Sequence, residues 1–326
     1  MKAPRVLVIG ANGQIGSELV EALVLRHGAQ AVISSDIAAK ARPETRSLGV
    51  RHVALDATDA PALQTVVERF GVTQIYLLAA ALSARAEQHP TWAWDLNMKS
   101  LLNVLDEARN HGLRVFWPSS IAAFGPSSPK VMTPQTTAMD PTSVYGISKL
   151  AGEGWCAWYH RTHGVDVRSL RYPGLISWKT PPGGGTTDYA VEIFHAALQR
   201  GCYTSFLAAD TALPMMYMPD AIRATLELMD APREHVRERG AYNLAGLTFT
   251  PAQIAQAIAR HLPGFGMDYA TDFRQTIANS WPQSIDDNDA RKDWGWKVQY
   301  DLDALVRDML AHLRPLLLAP PQRKAA

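Results

Sequence analysis

RVLVIGANGQIG, residues 5–16, joins a short apolar run to three glycines that are each separated by two residues. Residues 17–25 then carry apolar side chains at helical spacing, so the stretch predicts a strand, a glycine turn and a helix. Gly10 and Gly13 permit positive φ and let backbone N–H groups approach a pyrophosphate at the helix N-terminus, and Gly16 permits close packing of helix on strand. This context predicts a bound dinucleotide, with a purely structural turn as the alternative.

Composition narrows the classes of partner. The 32 lysines and arginines nearly balance the 31 aspartates and glutamates of the 326-residue chain, which favours small molecules over nucleic acid or an anionic membrane. Cys156 and Cys202 are the only cysteines, so the sequence predicts neither a disulfide framework nor a Cys-rich metal site. No targeting pattern precedes Gly10 and no apolar run approaches the roughly 20 residues of a membrane span. We therefore expect a cytoplasmic protein without a catalytic metal.

Apolar runs alternate with amphipathic segments through the first half of the chain. This alternation predicts strands at residues 5–9, 31–35, 50–55, 74–78, 115–117 and 165–170, and helices at 17–25, 59–70, 92–111 and 145–163. Such a pattern is typical of a doubly wound parallel sheet, the α/β Rossmann fold. We expect an NAD-binding domain at 1–172 and, mainly from 173–326, a smaller C-terminal α/β substrate lobe, with the chain free to cross between them. In that lobe we expect strands at 203–207 and 241–244 and helices at 189–200, 218–229, 251–261 and 301–312.

Polar side chains follow several of these strands, at the sheet edge where ligands bind. Asp36, about 20 residues beyond the glycine turn, can accept both ribose hydroxyls of adenosine and repel a 2′-phosphate, which favours NAD over NADP; a turn-capping aspartate is the alternative. Asp56 either accepts the adenine amino group or caps a helix. The small run 79–81 lets backbone lie against a cofactor. Asn97 either orients the next helix from within or lies on the surface.

A strand ending in Ser119-Ser120 precedes Tyr145-x-x-x-Lys149, which opens a helix. Tyrosine and lysine four residues apart lie on one helix face, and a nearby ammonium lowers the pKa of a phenol, which can then accept a proton near neutral pH. The pair alone is common on solvated helices. Its position after a glycine turn and a Ser-Ser strand end makes it a candidate catalytic pair.

PPGGGTTD, residues 181–188, is the most irregular segment of the chain. Its glycines could flex over a ligand, and two threonines at a helix N-terminus would suit a carboxylate. A flexible linker with an ordinary helix cap is the alternative. Among the nine tryptophans, Trp281 stands out because it precedes Pro282 in a polar loop.

The glycine turn, Ser120 and the Tyr145–Lys149 pair together resemble the extended short-chain dehydrogenase/reductase superfamily over nearly the whole chain. More closely, residues 118–126, 171–174 and 182–190 resemble the short-chain L-threonine 3-dehydrogenases, as do 280–282 and 294–296. The glycine-threonine segment is the most discriminating of these stretches.

The resemblance implies NAD-dependent oxidation of the β-hydroxyl of L-threonine to 2-amino-3-oxobutanoate. It makes Tyr145 the base, Ser120 the group that polarises the oxygen, and Lys149 the group that holds the nicotinamide ribose. The cofactor-binding candidates are Gly10, Gly13, Gln14, Ile15, Gly16, Asp36, Asp56, Ala57, Leu78, Ala79, Ala80, Asn97, Tyr145, Lys149 and Tyr172. The substrate-binding candidates are Ser83, Ser120, Tyr145, Gly184, Thr186, Thr187 and Trp281. A homodimer is implied through the helices that begin near Trp92 and Tyr145.

Two other functions fit parts of the pattern. A nucleotide-sugar epimerase or dehydratase would keep Ser120, Tyr145 and Lys149, but it needs a roomy second lobe with groups for a uridine diphosphate. A non-catalytic NAD sensor would keep the glycine turn, but it has no use for the Ser-Tyr-Lys set.

Overall fold

The computed structural model describes residues 4–81, 83–183 and 185–318. Its strands are β1 (Val6–Ile9), β2 (Val32–Asp36), β3 (Arg51–Ala54), β4 (Gln74–Leu77), β5 (Arg114–Phe116), β6 (Ser119–Ser120), β7 (Asp166–Arg168), β8 (Leu170–Tyr172), β9 (Gly174–Ile176), β10 (Cys202–Ser205), β11 (Leu213–Tyr217), β12 (Tyr242–Asn243), β13 (Leu247–Phe249) and β14 (Gly266–Tyr269). Its helices are α1 (Gln14–His27), α2 (Pro43–Ser47), α3 (Ala60–Phe70), α4 (Ser83–Gln88), α5 (Pro90–His111), α6 (Val144–His163), α7 (Tyr189–Arg200), α8 (Met218–Asp230), α9 (Pro251–His261), α10 (Arg274–Ser280), α11 (Asn288–Trp294) and α12 (Leu302–Leu318).

The main sheet has six strands in the order β3-β2-β1-β4-β5-β7, and every pairing in it is parallel. The order reverses between β1 and β4, and this reversal makes the crevice beyond their carboxyl ends the expected ligand site. The predicted doubly wound α/β fold is confirmed.

Side chains of β1 show why helices cover both faces of this sheet. Val6 and Val8 lie in one buried apolar cluster, with α1 and α8, and Leu7 and Ile9 lie in another, with α3 and α5. Since successive side chains of a strand point to opposite faces, a strand that is apolar throughout requires cover on both. Tyr242 joins the first cluster, so residues beyond 172 pack directly on the main sheet. The domain boundary at 172 stays a prediction.

The single strand predicted at 165–170 is two strands. The chain leaves the main sheet after β7, and β8 pairs instead with β6 and β12 in a separate three-stranded parallel sheet. This change of sheet places Ser120 opposite Tyr172 and Ser119 opposite Arg171.

The remaining strands form two small sheets, β13-β11-β9 and β10-β14. The observed bounds of α7 and α9 equal the predicted ones, and α9 begins with a capping box between Thr250 and Gln253. The sequence analysis missed β9, β11, β13, β14, α2, α4, α10 and α11. Within the described residues, no helix has the length and apolar character needed to cross a bilayer.

Candidate active site

The glycine turn after β1 has a backbone that larger residues could not adopt without movement. Gly10 has φ +87°, and a Cβ there would lie 2.6 Å from the amide nitrogen of Ala79. A Cβ on Gly16 would fall on the carbonyl oxygen of Gly10 and lie 2.8 Å from Cα of Ala11. Gly13 donates its N–H to that same carbonyl over 3.0 Å and closes the turn. Two of the three glycines are therefore required by packing around the turn.

Helix α1 begins at Gln14 directly behind this turn. In this part of the described chain, its N-cap Gly13 supplies no side-chain hydrogen bond, and its first turn holds no acidic residue. The amides at Gln14 and Ile15 therefore belong to a helix terminus with donors and positive potential available for an anion. A pyrophosphate fits this arrangement of glycines and uncapped helix.

Asp36 ends β2 beside the turn. Its Oδ2 accepts the N–H of Asn12 over 3.0 Å and its Oδ1 accepts that of Ala38 over 3.2 Å. Asp36 therefore makes the backbone contacts expected of a turn-capping aspartate. Each carboxylate oxygen has a further lone pair, so these contacts are compatible with acceptance of ribose hydroxyls.

Asp56 lies beyond β3 and closes a local turn. Its Oδ1 accepts the N–H of Thr58 over 2.9 Å and the Thr58 hydroxyl over 2.8 Å. Asp59, not Asp56, caps α3, because its carboxylate accepts the N–H of Ala62 over 3.0 Å. The helix-cap alternative for Asp56 is wrong, and its contact with adenine stays a prediction.

Asn97 is buried within α5 and links two segments of the site. Its Oδ1 accepts the N–H of Ala81 over 2.8 Å, and its Nδ2 donates to the Ser148 hydroxyl of α6 over 3.1 Å. It thus orients α6 from within, and the surface alternative is wrong. Its predicted contact with the cofactor stays a prediction, as do those of Ala57, which is buried, and of Leu78, Ala79 and Ala80, which are partly buried after β4.

Close packing at the start of α6 brings Tyr145 towards Ser120. Ser143 caps the helix by accepting the N–H of Gly146 over 3.0 Å. A Cβ on Gly146 would fall on the carbonyl of Ala122, in the turn that follows Ser120. The Ser120 hydroxyl accepts the N–H of Ala122 over 3.1 Å, and the Ser120 side chain lies close enough to Tyr145 to lower the pKa of its phenol.

Lys149 lies one turn along the same helix and is almost fully buried. Its Nζ donates to the carbonyl of Pro118 over 2.5 Å and lies 5.4 Å from the ring centroid of Tyr145. Burial lowers the pKa of Lys149 to about 7, against the opposing influence of Cys156 and Glu153. The structure therefore brings together the three predicted catalytic residues.

The predicted lowering of the Tyr145 pKa by Lys149 needs correction for this arrangement. Burial raises the pKa of Tyr145 to about 12, and the influence of the Ser120 side chain only partly opposes this rise. Burial disfavours the charged form of both groups, so it disfavours the Lys149 ammonium as well as the Tyr145 phenolate. Proximity in sequence predicted the pair, but not how much solvent the fold removes from it.

The glycine-threonine segment is folded around Asp188. The carboxylate Oδ2 accepts the N–H of Gly183 over 2.6 Å and that of Gly185 over 2.9 Å. Thr186 is buried, and Thr187 packs against Gly174, where a Cβ would lie 2.6 Å from the threonine methyl carbon. The predictions for Gly184 and for the Ser83 side chain fall outside the described residues.

Two other candidates are directed into apolar clusters. Trp281 is buried in the cluster that also holds Ile121 and Ala122, directly after Ser120. The Tyr172 side chain lies in the cluster between the main sheet and α8, and its hydroxyl hydrogen-bonds that of Thr225. Only the Tyr172 backbone, opposite Ser120 in β8, borders the site. This packing directs the Tyr172 phenol towards α8 and therefore disfavours its predicted contact with the cofactor.

Sequence reasoning missed Ser119, Glu153 and Arg171, three buried polar residues that hydrogen-bond one another beside Ser120 and Lys149. A weak signal was present, since Glu153 lies four residues after Lys149 on a helix face that is otherwise buried.

Comparison with known proteins identifies the family. The profile of the NAD dependent epimerase/dehydratase family matches residues 6–245. The chain belongs to the NAD-dependent epimerase/dehydratase family. It is 47% identical over 307 residues to an uncharacterized epimerase/dehydratase of Staphylococcus haemolyticus, which covers 94% of this chain and 96% of that protein.

Two similar solved structures carry a more specific name than the family does. A GalE-like L-threonine dehydrogenase from Cupriavidus necator, in its holo form, is 65% identical, with a TM-score of 0.92 over 95% of this chain and 100% of that one. The L-threonine dehydrogenase of Clostridium difficile is 44% identical, with a TM-score of 0.95 over 98% of this chain and 100% of that one.

Membership of the NAD-dependent epimerase/dehydratase family confirms the predicted cofactor, NAD. The glycine turn, the uncapped N-terminus of α1 and Asp36 are the parts of this chain that fit it. Among the described residues, no group of three or more His, Cys, Asp or Glu side chains could hold a metal ion.

Proposed function

We propose that this protein is an NAD-dependent L-threonine 3-dehydrogenase. The observation that carries the proposal is the 65% identity, over 95% of this chain, to an L-threonine dehydrogenase of the same fold. Ser120, Tyr145 and Lys149 lie together beyond the carboxyl ends of the parallel strands, as a reaction on a bound dinucleotide requires.

Bound NAD⁺ supplies a hydride acceptor, its nicotinamide ring. Tyr145 acts as the base and takes the proton from the β-hydroxyl of L-threonine, while the carbon that bears this hydroxyl gives up a hydride. Ser120 donates a hydrogen bond to that oxygen as the C–O bond becomes a carbonyl. Lys149 would hold the nicotinamide ribose and favour the phenolate of Tyr145. The products are 2-amino-3-oxobutanoate, NADH and one proton.

For the substrate site, we propose that the segment around Thr186 and Thr187 binds the amino acid's carboxylate and ammonium, together with Ser83, Gly184 and Trp281. The anchoring of this segment by Asp188 supports the assignment, as does the burial of Trp281 in the apolar cluster that also holds Ile121 and Ala122. Residues 1–172 would then bind NAD and residues 173–326 would supply most of the substrate lobe. The chain's compartment, expected to be cytoplasmic, stays a prediction.

NADH formation tests the proposal. The purified protein is assayed with NAD⁺ and L-threonine, D-threonine, L-allo-threonine or L-serine, and UDP-glucose epimerisation is measured in parallel, with and without a chelator. We expect turnover selective for L-threonine and insensitive to the chelator. Silence with every amino acid, together with epimerisation of UDP-glucose, would show that the family is right and the substrate wrong.

Asp36→Ala should relax the preference for NAD⁺ over NADP⁺. The carboxylate lies at the end of β2 beside the glycine turn, where it can accept ribose hydroxyls and would repel a 2′-phosphate. The ratio of kcat/KM for the two cofactors measures this, and Asp59→Ala is the matched control because it removes a capping carboxylate at the start of α3. A wild type that already uses NADP⁺ equally well would refute the ribose assignment.

We also propose a homodimer. Trp92, Ile147, Trp155 and Trp158 lie on α5 and α6, which pack against each other, and each side chain is 38–46% exposed. Large exposed apolar side chains favour a protein partner, and a two-fold pairing of these helices would bury them. Sedimentation equilibrium should give twice the chain mass, and Ile147→Glu should shift the protein towards monomer. A wild type that is monomeric at assay concentration would contradict the proposal.

A further inference from the structure

A buried ion pair lies one helical turn beyond Lys149. Glu153 of α6 and Arg171 of β8 are 5% and 6% exposed. Arg171 donates to both carboxylate oxygens of Glu153, from Nε over 2.9 Å and from a terminal nitrogen over 2.7 Å. This bidentate geometry fixes the orientation of both side chains.

Ser119 joins this pair to the strand that carries Ser120. Its hydroxyl donates to Oε1 of Glu153 over 2.5 Å. Ser119 also lies opposite Arg171 in the pairing of β6 with β8. The carboxylate therefore holds β6 and β8 against α6, the helix that carries Tyr145 and Lys149.

The far side of Arg171 is equally well partnered. Its other terminal nitrogen donates to the carbonyl of Gln135 and to the side-chain oxygen of Asn243, both over 2.9 Å. Asn243 lies opposite Arg171 in β12, so Ser119, Arg171 and Asn243 form one row across the three-stranded sheet. Besides each other, Glu153 and Arg171 thus bind three separate segments, at Ser119, Gln135 and Asn243.

Stability alone gives little reason for charges at this position. Removal of two charged groups from water costs several kcal/mol for each, and well-packed apolar residues often serve equally well. What apolar residues cannot supply is directional contact between β6, β8 and α6. A displacement of catalytic groups by about 1 Å can lower a rate about 100-fold.

We propose that Glu153, held by Arg171, is a positioning residue that acts through Ser119 to fix Ser120 relative to Tyr145 and Lys149. The inference rests on the proposed function, since it assumes that these three residues perform the oxidation. It adds a structural reason why the base and the hydroxyl, which lie on different elements, keep one geometry.

Ser119→Ala is the first test, because it removes one hydroxyl and leaves the ion pair intact. We expect kcat for L-threonine to fall about 10- to 100-fold, with KM and the NAD⁺ Kd unchanged. Ser205→Ala is the matched control, since Ser205 is also a fully buried strand serine but bonds only locally, to Leu207. An unchanged kcat, or an equal fall in both variants, would overturn the proposal.

Glu153→Gln supplies a readout that a merely structural role would not move. The charged or titratable groups around Lys149 are Tyr145, Glu153 and Cys156 of α6 and, through Glu153, Arg171 of β8. The carboxylate of Glu153 favours the Lys149 ammonium, so its removal should shift the break in the pH profile of kcat/KM to lower pH. A profile that coincides with the wild type would argue against coupling between the pair and Lys149.

Crystal structures with bound NAD⁺ separate this inference from the proposed function. If the wild type does not oxidise L-threonine, the proposed substrate is wrong, but the distance between the Ser120 and Tyr145 hydroxyls still tests positioning. We expect that distance to change in Ser119→Ala and to stay the same in Ser205→Ala. An identical Ser120–Tyr145 geometry in all three proteins would overturn the proposal.

Discussion

Tyr145→Phe should oxidise L-threonine at least about 100-fold more slowly than the wild type while it binds NAD⁺ with unchanged affinity. The substitution removes only the phenolic hydroxyl, the proposed proton acceptor, and keeps the ring beside Lys149. Steady-state kinetics with L-threonine and a direct NAD⁺ titration measure the two quantities. Near-normal turnover would show that another group is the base.

The pH dependence of wild-type kcat/KM is a second test of the role of Tyr145. The active form needs an ionised Tyr145, whose pKa is about 12, and a protonated Lys149, whose pKa is about 7. Below pH 7, kcat/KM should rise with pH, because the phenolate fraction grows while Lys149 keeps its proton. Above pH 7 the loss of the ammonium offsets that gain, so the profile should level off. Tyr203→Phe is the matched control, since its phenol hydrogen-bonds Glu192 in the second lobe and its loss should leave the profile unchanged.

Sequence reasoning succeeded where neighbouring residues determine the structure. The strand, glycine turn and helix of residues 5–27 are contiguous, and β1 carries apolar residues without interruption. Helix α9 shows the same locality, because its start is set by Thr250, Pro251 and Gln253. The order of such units along the chain was enough to predict a parallel sheet and the edge at which ligands bind.

It failed where distant segments determine the structure. Strand β11 contains Pro214 and two methionines instead of β-branched residues; its five residues are all buried, and the strand lies between β9 and β13 in its sheet. Its pairing, not its local preference, makes it a strand. The same reason explains the division of 165–170, since β8 pairs with β6 and leaves the main sheet.

The candidate site divides in the same way. Ser120, Tyr145 and Lys149 were found because their motifs are local, whereas Ser119, Glu153 and Arg171 meet only when β6, β8 and α6 assemble. Burial is also a property of the assembled fold. It reverses the expected shift of the Tyr145 pKa, which no spacing of residues could have indicated.

Gly16→Ala should weaken NAD⁺ binding about 10- to 100-fold, or by about 1.4 to 2.8 kcal/mol. The new methyl group would fall on the carbonyl oxygen of Gly10, and both that atom and Cα of Ala11, 2.8 Å away, belong to backbone. The turn must therefore open, which moves the amides of the α1 N-terminus away from the pyrophosphate. Calorimetric titration with NAD⁺ measures the affinity, and thermal unfolding reports whether the variant folds.

Two further glycines make the result interpretable. Gly266→Ala is the control, because a Cβ there meets no atom within 4 Å in the exposed strand β14, and we expect its affinity to equal that of the wild type. Gly13→Ala is the milder variant at the turn, since its Cβ would lie 3.2 Å from the Gly10 carbonyl. It should reduce affinity less than Gly16→Ala and remains informative if that variant does not fold. Equal NAD⁺ affinity in folded Gly16→Ala, Gly13→Ala and wild type would show that this turn does not hold the pyrophosphate.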